Sequence, residues 1–178
     1  MFTFVSGNLA LDYAGTVEAR TTEYRDRLVT GPDLADWLVA AGLLDDPPAC
    51  DAETLRQAVA LREAIYRLGA GALHGEPADP ADLRRLNEVA RNCPPRSELT
   101  ADATVRRTGT VADALAAIAR SAIELLGGPD RPRVKQCGRD ACTRLYIDTS
   151  RGGSRRWCDM TICGNRAKSA TFRQRHGV

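Results

Sequence analysis

The sequence predicts an α+β protein: a mainly helical N-terminal domain with short β-hairpins over residues 1–128, then a small metal-stapled module over residues 133–178. Three observations carry that prediction. Alanine is abundant and aromatics are sparse, which favours helix over sheet, and helix start signals recur along the first two thirds of the chain. The run GGPDRPR at 127–133 reads as a short Gly/Pro linker. Beyond it, four of the six cysteines fall into two C-x4-C pairs, Cys137 with Cys142 and Cys158 with Cys163. The chain's 178 residues hold one packed domain plus a small unit. A unit of about 45 residues is near the size at which a metal becomes necessary.

The elements follow in order. Phe2-Thr3-Phe4-Val5 alternates like a strand and Ser6-Gly7-Asn8 signals a turn, so a returning strand at Leu9 to Tyr13 is expected, with a helix start as the alternative. Residues 16–30 are polar and charged and read as a loop or an irregular helix. Gly31-Pro32-Asp33 opens a helix to about Ala41 that buries Leu34, Trp37, Leu38 and Ala41. Asp51 caps a longer helix with Leu55, Ala58, Val59, Arg62, Ile65, Tyr66 and Gly69 on one face. The GAGALHG run at 69–75 has the wrong spacing for a dinucleotide loop and reads as a frayed helix end. Asp79-Pro80 starts the next helix, with Leu83, Leu86, Val89 and Ala90 inward. A hairpin is expected over 96–107, and Thr110 with Asp113 opens the last helix of the domain, closed by Gly127-Gly128.

The paired cysteines point to zinc. Two short Cys pairs, separated by enough chain for a hairpin, can converge on one ion that prefers four soft ligands in a tetrahedron. Four thiolates leave no open position for water, so the expected Zn²⁺ is structural rather than catalytic. Disulfides are the alternative. No basic segment followed by an apolar core opens the sequence, and the longest uncharged apolar run, from Trp37 to Leu44, is far short of a membrane span. A cytoplasmic protein with no membrane partner is expected, and in that reducing compartment paired cysteines are more often metal ligands. Cys50 and Cys93 read as ordinary reduced side chains. Gly138 would allow a tight knuckle, Leu145-Tyr146-Ile147 a strand, Gly152-Gly153 the turn, Arg155 to Cys158 the returning strand, and a helix would begin near Asp159 and run to about Arg175. Knuckle, hairpin and helix make a treble-clef-like zinc finger.

Charge separates the two parts. Residues 133–178 hold eleven Lys/Arg against three acids, whereas residues 1–132 hold fourteen Arg against twenty acids. A net +2 chain thus hides a basic module, which implies a polyanionic partner. The candidate nucleic-acid contacts are Arg155, Arg156, Arg166, Lys168, Arg173 and Arg175, with Arg155 and Arg156 alternating so that only one faces the partner.

The run Arg155-Arg156-Trp157-Cys158 followed by Cys163-Gly164-Asn165-Arg166 resembles the CGNR zinc finger. Residues 1–126 resemble the ABATE domain, through Phe2 to Tyr13 and the segment around Trp37. That resemblance implies a bacterial stress-induced transcriptional regulator whose finger contacts DNA. Members of that family often carry Asn-Thr after the Leu-Asp-aromatic element, where this chain has Gly15-Thr16.

The leading expectation is a regulator binding double-stranded DNA, with the helical domain taking a small-molecule effector or mediating assembly as a homodimer. An RNA-binding zinc-ribbon-like protein is the alternative, favoured if Trp157, Tyr146 or Phe172 is exposed for stacking; a protein-docking adaptor is a third. An enzyme is not expected: there is no nucleophile elbow and no phosphate-cradling Gly-Lys-Ser/Thr, and His74 and His176 are the only histidines.

Overall fold

The computed structural model describes residues 2–165. Five helices form the first part: α1 Leu9–Ala14, α2 Gly31–Ala40, α3 Ala52–His74, α4 Pro80–Val89 and α5 Val111–Gly127. Between them lie two antiparallel ribbons, β1 Val17–Glu18 with β2 Arg25–Asp26, and β3 Arg96–Leu99 with β4 Val105–Thr108. A third ribbon, β5 Val134–Gln136 with β6 Leu145–Ile147, carries the cysteine module.

Local chemistry sets the helix ends. Thr30 and Asp33, and Thr110 and Asp113, form reciprocal capping boxes at α2 and α5, while Asp51 and Asp79 accept the first amides of α3 and α4. The end of α3 does not fray as expected: the helix runs through the small residues to His74 and stops at Gly75, whose φ of 69° is the left-handed cap that glycine takes at least cost. Gly69 serves packing, since a Cβ there would lie 2.9 Å from Leu145 Cδ1 of β6.

The core surrounds Trp37, which has no exposed surface and meets Tyr13 at a ring separation of 5.0 Å. Leu34, Leu38, Ala58, Leu61, Ile65, Leu86, Val111 and Ile118 complete it. Burying each large apolar side chain there contributes about 1.5–3 kcal/mol. Leu83, expected inward, is instead 40% exposed, because α4 turns only Leu86 fully into the core.

The N-terminal segment departs from the expected hairpin. Asn8 accepts from the amides of Ala10 and Leu11 and starts α1, so Leu9 to Tyr13 is helix. Residues 2–5 have no strand partner among the described residues. The Asp12 carboxylate takes the amides of Val5 (3.0 Å) and Ser6 (2.9 Å), holding the segment across the helix start. Nor is 16–30 an irregular helix: Glu18 and Arg27 pair across the small β1–β2 ribbon at 3.1 Å.

Candidate metal centre

The β5–β6 ribbon builds the first half of the site. Cys137 leaves β5 and its amide donates to Arg144 O at 3.0 Å, so the two ribbon ends close around the loop that holds Cys142. β6 pairs with β5 rather than with residues 155–158, correcting the expected hairpin. Residues 155–158 instead run past the knuckle without joining a sheet, linked by Gly138 N to Arg156 O at 2.8 Å. Asp159 then caps a short π-type turn, Met160–Gly164, by accepting from Ile162 N, and this turn delivers Cys163. The onset of the expected helix is therefore in place, while its continuation to Arg175 lies outside the described residues.

All four cysteine sulfurs lie within 4.8 Å of one another. Cys142 and Cys158 Sγ are 3.8 Å apart, and Cys158 and Cys163 Sγ 3.6 Å. A Zn–S distance of about 2.3 Å in a tetrahedron requires sulfurs about 3.8 Å apart, so this donor set fits one zinc ion. The amide of Cys158 points at Cys137 Sγ at 3.5 Å, the kind of outer contact that steadies a thiolate ligand. Cys137, Cys158 and Cys163 are buried and Cys142 half-buried. Together they form a separate small core with Tyr146 and Trp157. Tyr146 is 1% exposed, its hydroxyl donates to Arg155 O at 2.7 Å, and burial pushes its pKa up to about 12. Tyr146 is thus closed to base stacking, Trp157 is half-buried against the cysteines, and Phe172 lies outside the described residues.

The predicted basic contacts separate. Arg155 turns inward, which the sequence did not reveal: its guanidinium donates to the carbonyls of Trp157 (2.9 Å), Val5 (3.0 Å) and Cys158, and lies 4.5 Å from the centre of the Tyr146 ring. Arg156 is exposed, over the Trp157 ring at 5.5 Å. Arg166, Lys168, Arg173 and Arg175 lie outside the described residues. Arg139 and Arg151, not singled out from sequence, also carry no ion pair among the described residues.

Two residues missed from sequence organise the module. Asp148, 2% exposed, receives Lys135 Nζ (2.6 Å), the amide and hydroxyl of Ser150, and the amide of Arg155. Lys135 and Ser150 hold its carboxyl well below the usual carboxylate range. The Asp-x-Ser spacing before Gly152-Gly153 was the available signal for this turn. Arg144 docks the module: Nη2 donates to Gly15 O at 2.9 Å and Nη1 to Thr3 O at 3.3 Å, beside Asp12. Ile147 N adds a bond to Ser6 O, and Arg20 N one to Thr143 Oγ1. Val134, Leu145 and Ile147 pack directly on Leu11 and Leu125. The module is thus clamped to the helices.

Gly15 is part of that clamp. A Cβ on Gly15 would sit 2.5 Å from Arg144 Nη1. Gly15→Ala is expected to displace the guanidinium and lower stability by about 1–2 kcal/mol. Chemical denaturation checks this: in an Arg144→Ala background the same substitution should cost little, because the two positions share one contact.

Four thiolates converging on one tetrahedral position, on a knuckle and ribbon followed by a helical turn, define a structural zinc finger. Residues 133–176 match the CGNR zinc finger family, and residues 7–129 match the ABATE family, described as "Putative stress-induced transcription regulator". The chain belongs to the ABATE family. No curated protein matches it. Both matched families are of regulatory or zinc-finger type. No helix among the described residues is long and apolar enough to cross a membrane.

Proposed function

We propose that this protein is a DNA-binding regulator of transcription whose zinc module contacts duplex DNA, and that residues 1–128 and 133–178 act as its two functional units. The observation that carries the reading is the division of labour on the basic module. Arg144 and Arg155 hold structure and Lys135 pairs with Asp148, while Arg139, Arg151 and Arg156 are left without an ion pair among the described residues. Tyr146 and Trp157 are held by the knuckle, which favours backbone contact with a duplex over stacking on single strands. Arg156, Arg166, Lys168, Arg173 and Arg175 are the assigned nucleic-acid contacts, and Arg155 is reassigned to clamping.

A groove of about 590 Å³ between the end of α3, α4 and α5, with Leu83 and Ile123 on its rim, is the place we assign to a small-molecule effector. Its size falls within the usual range for such sites, about 300–1,000 Å³.

Fluorescence anisotropy of the zinc-loaded protein against duplex DNA and single-stranded RNA, titrated across salt, tests the main reading. Duplex should be preferred with steep salt dependence. Arg156→Ala should weaken binding uniformly across sequences and reduce the salt slope by about 1, the signature of one lost phosphate contact. Binding to neither polymer at low salt would overturn the proposal, and salt-insensitive binding would point to a protein-docking module instead.

A further inference from the structure

Among the described residues, backbone hydrogen bonds fasten the β3–β4 ribbon to the rest of the protein along the β4 edge only. Asp45 N donates to Arg107 O at 3.1 Å, and Arg107 N donates to the Asp45 carboxylate at 2.8 Å. The Arg107 backbone therefore points away from β3. In an antiparallel ladder, hydrogen-bonded and non-hydrogen-bonded pairs alternate. Ser97 opposite Arg107 is thus a non-hydrogen-bonded pair, as is Leu99 opposite Val105, while Glu98 and Arg106 exchange ladder bonds. The bond from Thr100 N to Thr104 O at 2.9 Å fits the same alternation.

Ser97 and Leu99 consequently aim their N–H and C=O groups outward along the β3 edge, where no group among the described residues meets them. All of β3 is exposed, Leu99 to 78%. An open edge with an exposed apolar side chain is a template for strand addition, and a two-stranded ribbon gains most from it because it is marginal by itself.

We propose that this edge is a self-association surface, on which β3 of one copy pairs antiparallel with β3 of a second copy about a twofold axis through Ser97. The outward groups permit registers centred on each residue of β3, and centring on Arg96 sets two guanidiniums directly opposite each other. Centring on Glu98 sets two carboxylates directly opposite each other, and centring on Leu99 carries the pairing into the turn at Ala101 and Asp102. Centring on Ser97 lets the two serines exchange both backbone bonds and places Arg96 opposite Glu98 of the second copy, twice by symmetry. Glu98 already meets Arg106 at 2.7 Å, so each carboxylate then lies between two guanidiniums. Leu99 faces Pro95 of the second copy, whose carbonyl accepts its N–H and whose ring covers part of the exposed side chain. Pro94 and Pro95 end the ladder there, because proline has no N–H to extend it.

Sedimentation of the full zinc-loaded chain without nucleic acid tests this surface independently of DNA binding. A monomer–dimer equilibrium is expected over a roughly hundredfold range of concentration. Ser97→Pro removes an outward N–H that β4 does not use, and should weaken the dimer by at least about tenfold with the circular dichroism spectrum unchanged. Arg96→Glu, which breaks no pair within the ribbon, sets like charges opposite and should weaken it as well. It carries the test if the proline variant is misfolded. A chain that stays monomeric throughout, or a dimer indifferent to both substitutions, overturns the proposal.

Discussion

Chelating the metal, or replacing Cys163 with serine, is expected to unfold the cysteine module and to loosen the helical part with it. Zinc binding to a structural site of this kind is worth about 10–16 kcal/mol, as much as the whole stability of a typical domain. The small core that residues 137–163 hold of their own consists of the ligands, Tyr146 and Trp157. The loss should then spread. Val134, Leu145 and Ile147 cover Leu11 and Leu125, and Arg144, Ile147 and Arg155 donate to the carbonyls of Thr3, Ser6 and Val5. Hydrogen exchange with and without chelator is the measurement: protection should fall at residues 134–164 and also in α1. Protection in α1 that survives metal removal would show that the helices stand independently of the finger.

The second large effect is expected at Arg62. Its guanidinium has no exposed surface and is held in the core by two 2.7 Å bonds to Asp26, one of 2.9 Å to Glu63 and one of 3.3 Å to Thr16. Removing one partner of a buried pair leaves the other uncompensated, at a cost of about 3–5 kcal/mol. Arg62→Ala should lose that much in denaturant unfolding, whereas Arg62→Met with Asp26→Asn should recover part of it. Burial would raise the Asp26 pKa, but the Arg62 hydrogen bonds outweigh it and hold the group below 3.8. The stability this contributes is fully present above that pH and is lost as pH falls below it.

Which of these features could be read from the chain follows from how local their causes are. The starts of α3, α4 and α5 were legible because Asp51, Asp79 and Thr110 act on amides two or three residues away. The placement of Arg62 on the buried face of α3 was legible from helical spacing, and the metal centre from cysteine spacing and ligand chemistry. The N-terminal segment was not: Phe2 to Val5 alternates like a strand, yet it is fixed by Asp12, Arg144 and Arg155, up to 150 positions away. Nor was the partner of β6, because residues 155–158 suit an extended conformation equally well beside the sheet as in it. Arg155 and Arg156 are identical as letters. Only the Tyr146 ring and the carbonyls of Val5 and Cys158, which gather around Arg155, decide that one points in and the other out.

The clamp between the two ends of the sequence also orders events during synthesis. The carbonyls of Thr3, Val5 and Gly15 find their donors on Arg144 and Arg155, which emerge from the ribosome after every helix of the first domain. A nascent chain can gather the Trp37 core early, but its opening segment stays unfinished until the knuckle has emerged and loaded its ion. Synthesis at about 5–20 residues per second leaves that segment waiting for several seconds to tens of seconds. The opening segment therefore completes its fold only once the ion-bound module is there to supply its donors.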